Sequence, residues 1–265
     1  GNFRPYLFHS KMPGTGREGH KYSVTMKYLN LLFFTGMIVM NYLANRLPLN
    51  GKTTGDISDA WPNLFTPAGV TFSIWGVIYI LLVIFCVIQF TTSYQVAISR
   101  IGWLFGLSCV FNTLWIVAWH YERLPLSLIL MAGLLICLIW INIFIRDLPD
   151  GFIKAGFGVY LGWICIATIA NITVLLVSNG WQGFGLSEQT WAMIMILAGA
   201  VIVSLTIWRM SNPYIGLAVV WAFAGIMIRR QDDYRAIFMT AAAAAVVVAV
   251  VVILSFFRRR LFGTA

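Results

Sequence analysis

The 265-residue chain is 60% hydrophobic and only 10% charged, with a mean hydropathy of +0.84, where an average soluble domain has about 25% charged residues. Such a composition excludes an ordinary soluble enzyme or binding domain, which could not keep that much apolar surface from water. The net charge of +9 does not point to nucleic acid, because the basic residues fall in tails and short loops, where membrane topology accounts for them.

The first 27 residues are polar and basic and hold no apolar h-region, so no signal peptide is expected there. Pro5 stands where a myristoylation motif wants Ser or Thr, which argues against that lipid on Gly1. Uncharged runs of roughly 18 to 24 residues follow, the length that crosses a ~30 Å hydrocarbon core as a helix. They show no period-two alternation, so an all-α integral membrane protein of about eight transmembrane helices is expected rather than a barrel. The spans read as Tyr28 to Asn45, Pro67 to Phe90, Arg100 to Trp119, Pro125 to Ile145, Gly156 to Val177, Trp191 to Met210, Pro213 to Ile228 and Ala236 to Phe257. A turn-rich loop, residues 46–66, separates the first two, and a glycine-rich loop separates the fifth and sixth. Four cysteines, Cys86, Cys109, Cys137 and Cys165, fall near mid-span and read as buried free thiols, not disulfides or metal ligands.

With eight spans both tails share one side. Six Lys/Arg residues (Arg46, Lys52, Arg123, Arg229, Arg230 and Arg235) face the other side and the remaining 12 of the 18 lie with the tails. Both termini are therefore expected in the positive-inside compartment, whether cytoplasm, matrix or stroma.

No Asp, Glu, Lys or Arg falls between the ends of the spans, and His120 lies at an interface. Proton-coupled transport and catalysis both need such groups, so neither is expected and no cofactor is required. The polar residues inside are amides and hydroxyls, and each also fits a plain interhelical hydrogen bond. Two stripes stand out. Asn112, Trp115 and Trp119 are spaced by three and four residues, and Trp163, Ala167 and Asn171 by four, so each trio lies on one helix face. Facing stripes of tryptophan and amide would wall a small-molecule pocket, although aromatic stripes also simply fill space between helices. Gly102 with Gly106, and Gly158 with Gly162, permit close helix approach, for packing or for a homodimer.

The same residues resemble the tryptophan-rich sensory protein family, also called the TspO or peripheral benzodiazepine receptor family. Residues 65–79, FTPAGVTFSIWGVIY, are similar to its proline segment followed by Trp and Tyr, here Pro67, Trp75 and Tyr79. Residues 111–119, FNTLWIVAW, match its Asn-x-x-Trp at Asn112 and Trp115, with Trp119 beyond. Residues 160–171, YLGWICIATIAN, match at Tyr160, Trp163, Ala167, Thr168 and Asn171. Thr66 replaces one proline of the family's pair, and Val159 stands where the family has proline before Tyr160.

The resemblance covers residues 28–177 and implies a five-helix core, with residues 178–257 adding three helices between the polar tails 1–27 and 258–265. It implies a membrane receptor, carrier or sensor that binds a hydrophobic ligand such as a tetrapyrrole, a sterol or an isoprenoid-like molecule. The loop 46–66 would close over the pocket, with Trp61 and Phe65 as its contacts. Two other readings stay open: a non-catalytic accessory subunit of a larger membrane complex holding lipid or pigment, and a facilitative transporter.

Overall fold

The computed structural model describes residues 17–47 and 49–261; Pro5, most of the N-terminal tail and the last four residues lie outside them. The described residues form ten α-helices and no strand. These are α1 (Arg17–Arg46), α2 (Thr54–Asp59), α3 (Ile74–Ile88), α4 (Gln95–Ile101), α5 (Trp103–His120), α6 (Leu124–Phe144), α7 (Phe152–Ser178), α8 (Glu188–Met210), α9 (Tyr214–Arg230) and α10 (Arg235–Leu261). A 3-10 turn over Gly69–Ser73 leads into α3. Among the described residues, seven helical segments are long and apolar enough to cross a membrane. The eighth long helix, α9, has 17 residues, about 25 Å at 1.5 Å per residue, and packs between α7 and α10.

Local chemistry sets most of the helix ends. Pro125 sits in the first turn of α6, where its missing N–H costs nothing. Ser187 caps α8 by accepting from Thr190 N–H. The third span differs from its expected form: α5 begins at Trp103, and Arg100 belongs to the separate helix α4. Gly102, at φ +50 and ψ −132, breaks the helix between them, in a backbone region open chiefly to glycine.

Helix α7 lies at the centre, against α3, α6, α8 and α9, while α1 covers α5 and α3. A Cβ on Gly158 would strike Asn212 and Tyr214, and one on Gly162 would strike Ile215, so this small-residue pair seats α9 on α7 within one chain. The Ala/Val stretch of α10 buries Ala241, Ala244, Val248 and Val252 on one stripe, against α8 and α9. Large apolar side chains such as Val87, Ile129, Leu205 and Val246 stay exposed on the outer faces, a surface suited to lipid and not to water. Lys154, read as a loop residue, is buried at the start of α7. Its ammonium donates to the carbonyls of Arg146, Leu148 and Ser211 at 2.8, 3.2 and 2.9 Å.

Candidate functional site

The two stripes face each other inside the bundle, with α3 supplying the ring between them. Trp75 lies 6.2 Å from Trp115 at an interplanar angle of 29°, and Trp115 lies 6.2 Å from Trp119 at 25°. Tyr79 stacks on the other side of Trp75 at 5.6 Å, giving a column of four near-parallel rings. Trp163 meets Trp75 edge-on at 6.3 Å, and Phe72 meets Trp163 edge-on at 5.9 Å. Offset and edge-to-face contacts at these spacings are the favoured aromatic geometries.

Beside the rings is a cavity of ≈ 40 Å³. Trp75, Trp115, Trp119, Trp163, Ala167 and Asn171 line it, with Thr54, Ser58, Pro67, Phe72, Ile166 and Ala170. Its roof is α2, which a capping box holds: Asp56 N–H donates to the Thr53 hydroxyl and Thr53 N–H donates to the Asp56 carboxylate. The Thr53 N–H first and the Thr53 hydroxyl second, both acting on the carboxylate, hold the Asp56 carboxyl below the usual carboxylate range. The first residue of α2 is tied to the bundle. Thr54 N–H donates to Asn45 at 3.3 Å, and Trp119 Nε1 donates to the Thr54 carbonyl at 3.2 Å.

Asn171 organises the opposite wall. Its Oδ1 accepts from Trp115 Nε1 at 3.3 Å and from the Ser127 hydroxyl at 2.7 Å, while its Nδ2 donates to the Ala167 carbonyl at 3.0 Å. Two buried polar atoms on the lining make no hydrogen bond among the described residues, Trp163 Nε1 and Thr54 Oγ1. Trp163 and Thr54 are 3% and 8% exposed, so water does not satisfy them from outside.

Six of the ten residues singled out from sequence thus share one cavity, and the other four sit elsewhere. Asn112 is fully buried and spent on structure, accepting from Asn41 Nδ2 at 2.8 Å and donating to the Tyr160 hydroxyl at 2.9 Å. Tyr79 lines an outer groove between α1 and α3. Trp61 packs in the loop without touching the cavity, and Phe65 lines a separate one. Thr54, Ser58, Phe72, Ile166 and Ala170 were not singled out, nor was Ser127. None has a composition signal: Ile166 and Ala170 flank the stripe on α7 itself, and Thr54, Ser58, Phe72 and Ser127 reach the site only because α2, the 3-10 turn and α6 fold onto it.

None of the residues lining this cavity is an Asp, Glu, His, Lys, Arg or Cys, and among the described residues no three His, Cys, Asp or Glu side chains cluster as a metal site. The four cysteines are free. What the arrangement supplies is aromatic surface and a few oriented donors, the makeup of a binding pocket for an apolar molecule.

Curated proteins and solved structures give no match to this chain. A family model, that of the TSPO-like proteins, matches residues 27–254, taking in the tryptophan-lined core together with α8, α9 and nearly all of the apolar part of α10. This integral membrane protein therefore belongs to the TSPO-like family.

Proposed function

We propose that the protein is a non-enzymatic membrane receptor, carrier or sensor that binds a hydrophobic ligand in the tryptophan box, and that this ligand presents an oxygen acceptor to Trp163. One observation carries the reading: a buried donor, Trp163 Nε1, and a buried hydroxyl, Thr54 Oγ1, stand unpartnered on the same aromatic-walled cavity. Leaving such a group unsatisfied costs about 1–3 kcal/mol, which a ligand oxygen would recover. Tetrapyrrole carboxylates, sterol hydroxyls and isoprenoid carbonyls all offer that oxygen.

At ≈ 40 Å³ the cavity is far below the ~300–1,000 Å³ of an occupied ligand site. Entry therefore parts the rings and lifts α2 with the flanking loop, so the described state is the closed one. If all eight long helices cross in alternation, the start of α1 and the end of α10 fall on one side, and the excess of Lys and Arg on that side supports both termini facing the positive-inside compartment.

The test is saturable binding of a tetrapyrrole, sterol and isoprenoid panel to the purified protein. Trp163→Phe keeps the ring and removes the donor, and should weaken the bound member about 5- to 30-fold, the loss of one buried hydrogen bond. Absence of saturable binding across the panel, or equal binding after Trp115→Ala combined with Asn171→Ala, overturns the proposal.

A further inference from the structure

A second cavity, ≈ 400 Å³, lies outside the tryptophan box, between the loop segment Pro62–Phe65, the end of α7 and the start of α8. This volume is within the range of small-molecule sites. Its walls are apolar and aromatic, including Phe65, Leu176, Trp181, Trp191 and Met195, and Glu188 at its rim is the only ionisable side chain of the lining.

The aromatic wall is built, not incidental. Trp181 and Trp191 lie 4.9 Å apart between ring centroids at 58°. Trp191 Nε1 donates to the Gly183 carbonyl at 2.7 Å. A Cβ on Gly183 would sit 2.9 Å from that nitrogen, and Gly183, Phe184 and Gly185 all have positive φ, at +64, +50 and +80. The two glycines take this conformation freely and Phe184 does so at a cost, and together they wrap the loop around the Trp191 edge. Tryptophans at a membrane interface also serve as anchors, and the 85% exposed Phe184 fits that role; anchoring accounts for neither the cavity nor the carboxylate beside it.

The charge balance sets the ligand class. The carboxyl end of α7 and the amino end of α8 both border the cavity, so their opposite end charges offset one another. Arg230 reaches the neighbouring loop, donating to the carbonyls of Asn63 and Leu64, but is not itself part of the lining, and Asp233 lies close enough to offset part of its charge. Glu188 makes no ion pair among the described residues and is the one formal charge on the lining itself. Paired indole rings beside a free carboxylate attract an organic cation, through the ring faces and through Coulomb attraction. We infer that this cavity is a second binding site, independent of the tryptophan box, for an amphiphile with an ammonium head and an apolar body. The head could come from a choline or ethanolamine lipid or from a free lipophilic amine.

The test uses the full chain in nanodiscs of digalactosyldiacylglycerol, which is uncharged and carries no ammonium. The probe is 4-phenylbutyltrimethylammonium, compared with its uncharged isostere in which carbon replaces nitrogen. Expected is saturable binding of one probe per chain, about tenfold weaker for the isostere and for both Glu188→Gln and Trp181→Ala, and unchanged by Trp163→Phe. The Trp163→Phe arm separates this site from the box, so either reading can fail alone. Repeating the titration with phosphatidylcholine added identifies the source: competition assigns the site to a lipid headgroup, and undiminished binding assigns it to a free amine. No saturable binding, equal binding of probe and isostere to the unsubstituted protein, or undiminished probe binding to Glu188→Gln with an unaltered thermal midpoint, overturns the inference.

Discussion

Asn112 shows how the same amide can read as a ligand contact in the sequence and serve as a joint in the fold. Its spacing from Trp115 and Trp119 was correctly a single stripe, but the side chain joins α1 to α7 through Asn41 and Tyr160. Those partners lie 71 and 48 residues away, and nothing local in a sequence reveals them. Trp163 presents the reverse case, a ring whose burial was legible from helix periodicity and whose unpartnered nitrogen was not. Replacing Asn112 by leucine removes two interhelical bonds and strands the Tyr160 hydroxyl, a loss of roughly 1–3 kcal/mol. Thr113→Val is the control, because that hydroxyl bonds only to the Cys109 carbonyl one turn back in its own helix and should cost almost nothing. Thermal unfolding in nanodiscs checks this: a lowered midpoint for Asn112→Leu and an unmoved one for Thr113→Val are expected, and equal midpoints would remove Asn112 from the structural role.

At the scale of elements, the apolar runs marked the helices well because length and hydropathy alone decide what can cross a bilayer. What they could not mark was which loop each helix end touches. The last turn of α9 grips the segment that roofs the tryptophan box: Arg230 donates to the Asn63 and Leu64 carbonyls at 2.6 and 3.2 Å, and Arg229 donates to the Pro67 carbonyl at 3.1 Å and pairs with Asp59 at 2.8 Å. Above the grip, Ala68 N–H donates to the Gly225 carbonyl at 3.0 Å and Trp221 Nε1 to the Thr71 carbonyl at 2.9 Å. A Cβ on Gly225 would collide with Thr71, so only glycine allows this approach. In the sequence Arg229 and Arg230 are merely two positive charges on one side of the membrane. If they hold the roof down, Arg230→Gln frees the loop without touching the box. Stopped-flow measurement of the box ligand should then show association and dissociation both faster by about 3- to 10-fold, with the equilibrium constant changed less, as expected when a closed state is destabilised. A change in dissociation alone would instead make Arg230 part of the binding surface.

For the molecule as a whole, the decisive relation is between the first five long helices and the last three. Residues 28–177 carry the recognisable tryptophan motifs, so a sequence reader divides the chain there, yet the packing crosses that line everywhere. Gly158 and Gly162 on α7 receive α9. Asn212, between α8 and α9, donates to Asn142 on α6 at 2.8 Å and to the Lys154 carbonyl at 3.0 Å, and Lys154 itself donates to Ser211. Without α8 to α10, the glycine face of α7 would meet lipid with no side chains to pack, Lys154 would lose one of its carbonyls, and the roof of the box would lose both arginines. Lipid restores none of these, since association of helices in a bilayer rests on close packing and polar contacts and not on hydrophobic exclusion. A chain ending at Asn179 should therefore give no monodisperse five-helix protein on size exclusion. Co-expression of residues 180–265 as a separate chain should restore both a single peak and ligand binding, because the missing contacts lie between helices that insert on their own. A monodisperse fragment that binds the box ligand as the full chain does would instead make the last three helices an appendage, and would move the closing of the roof back into the loop alone.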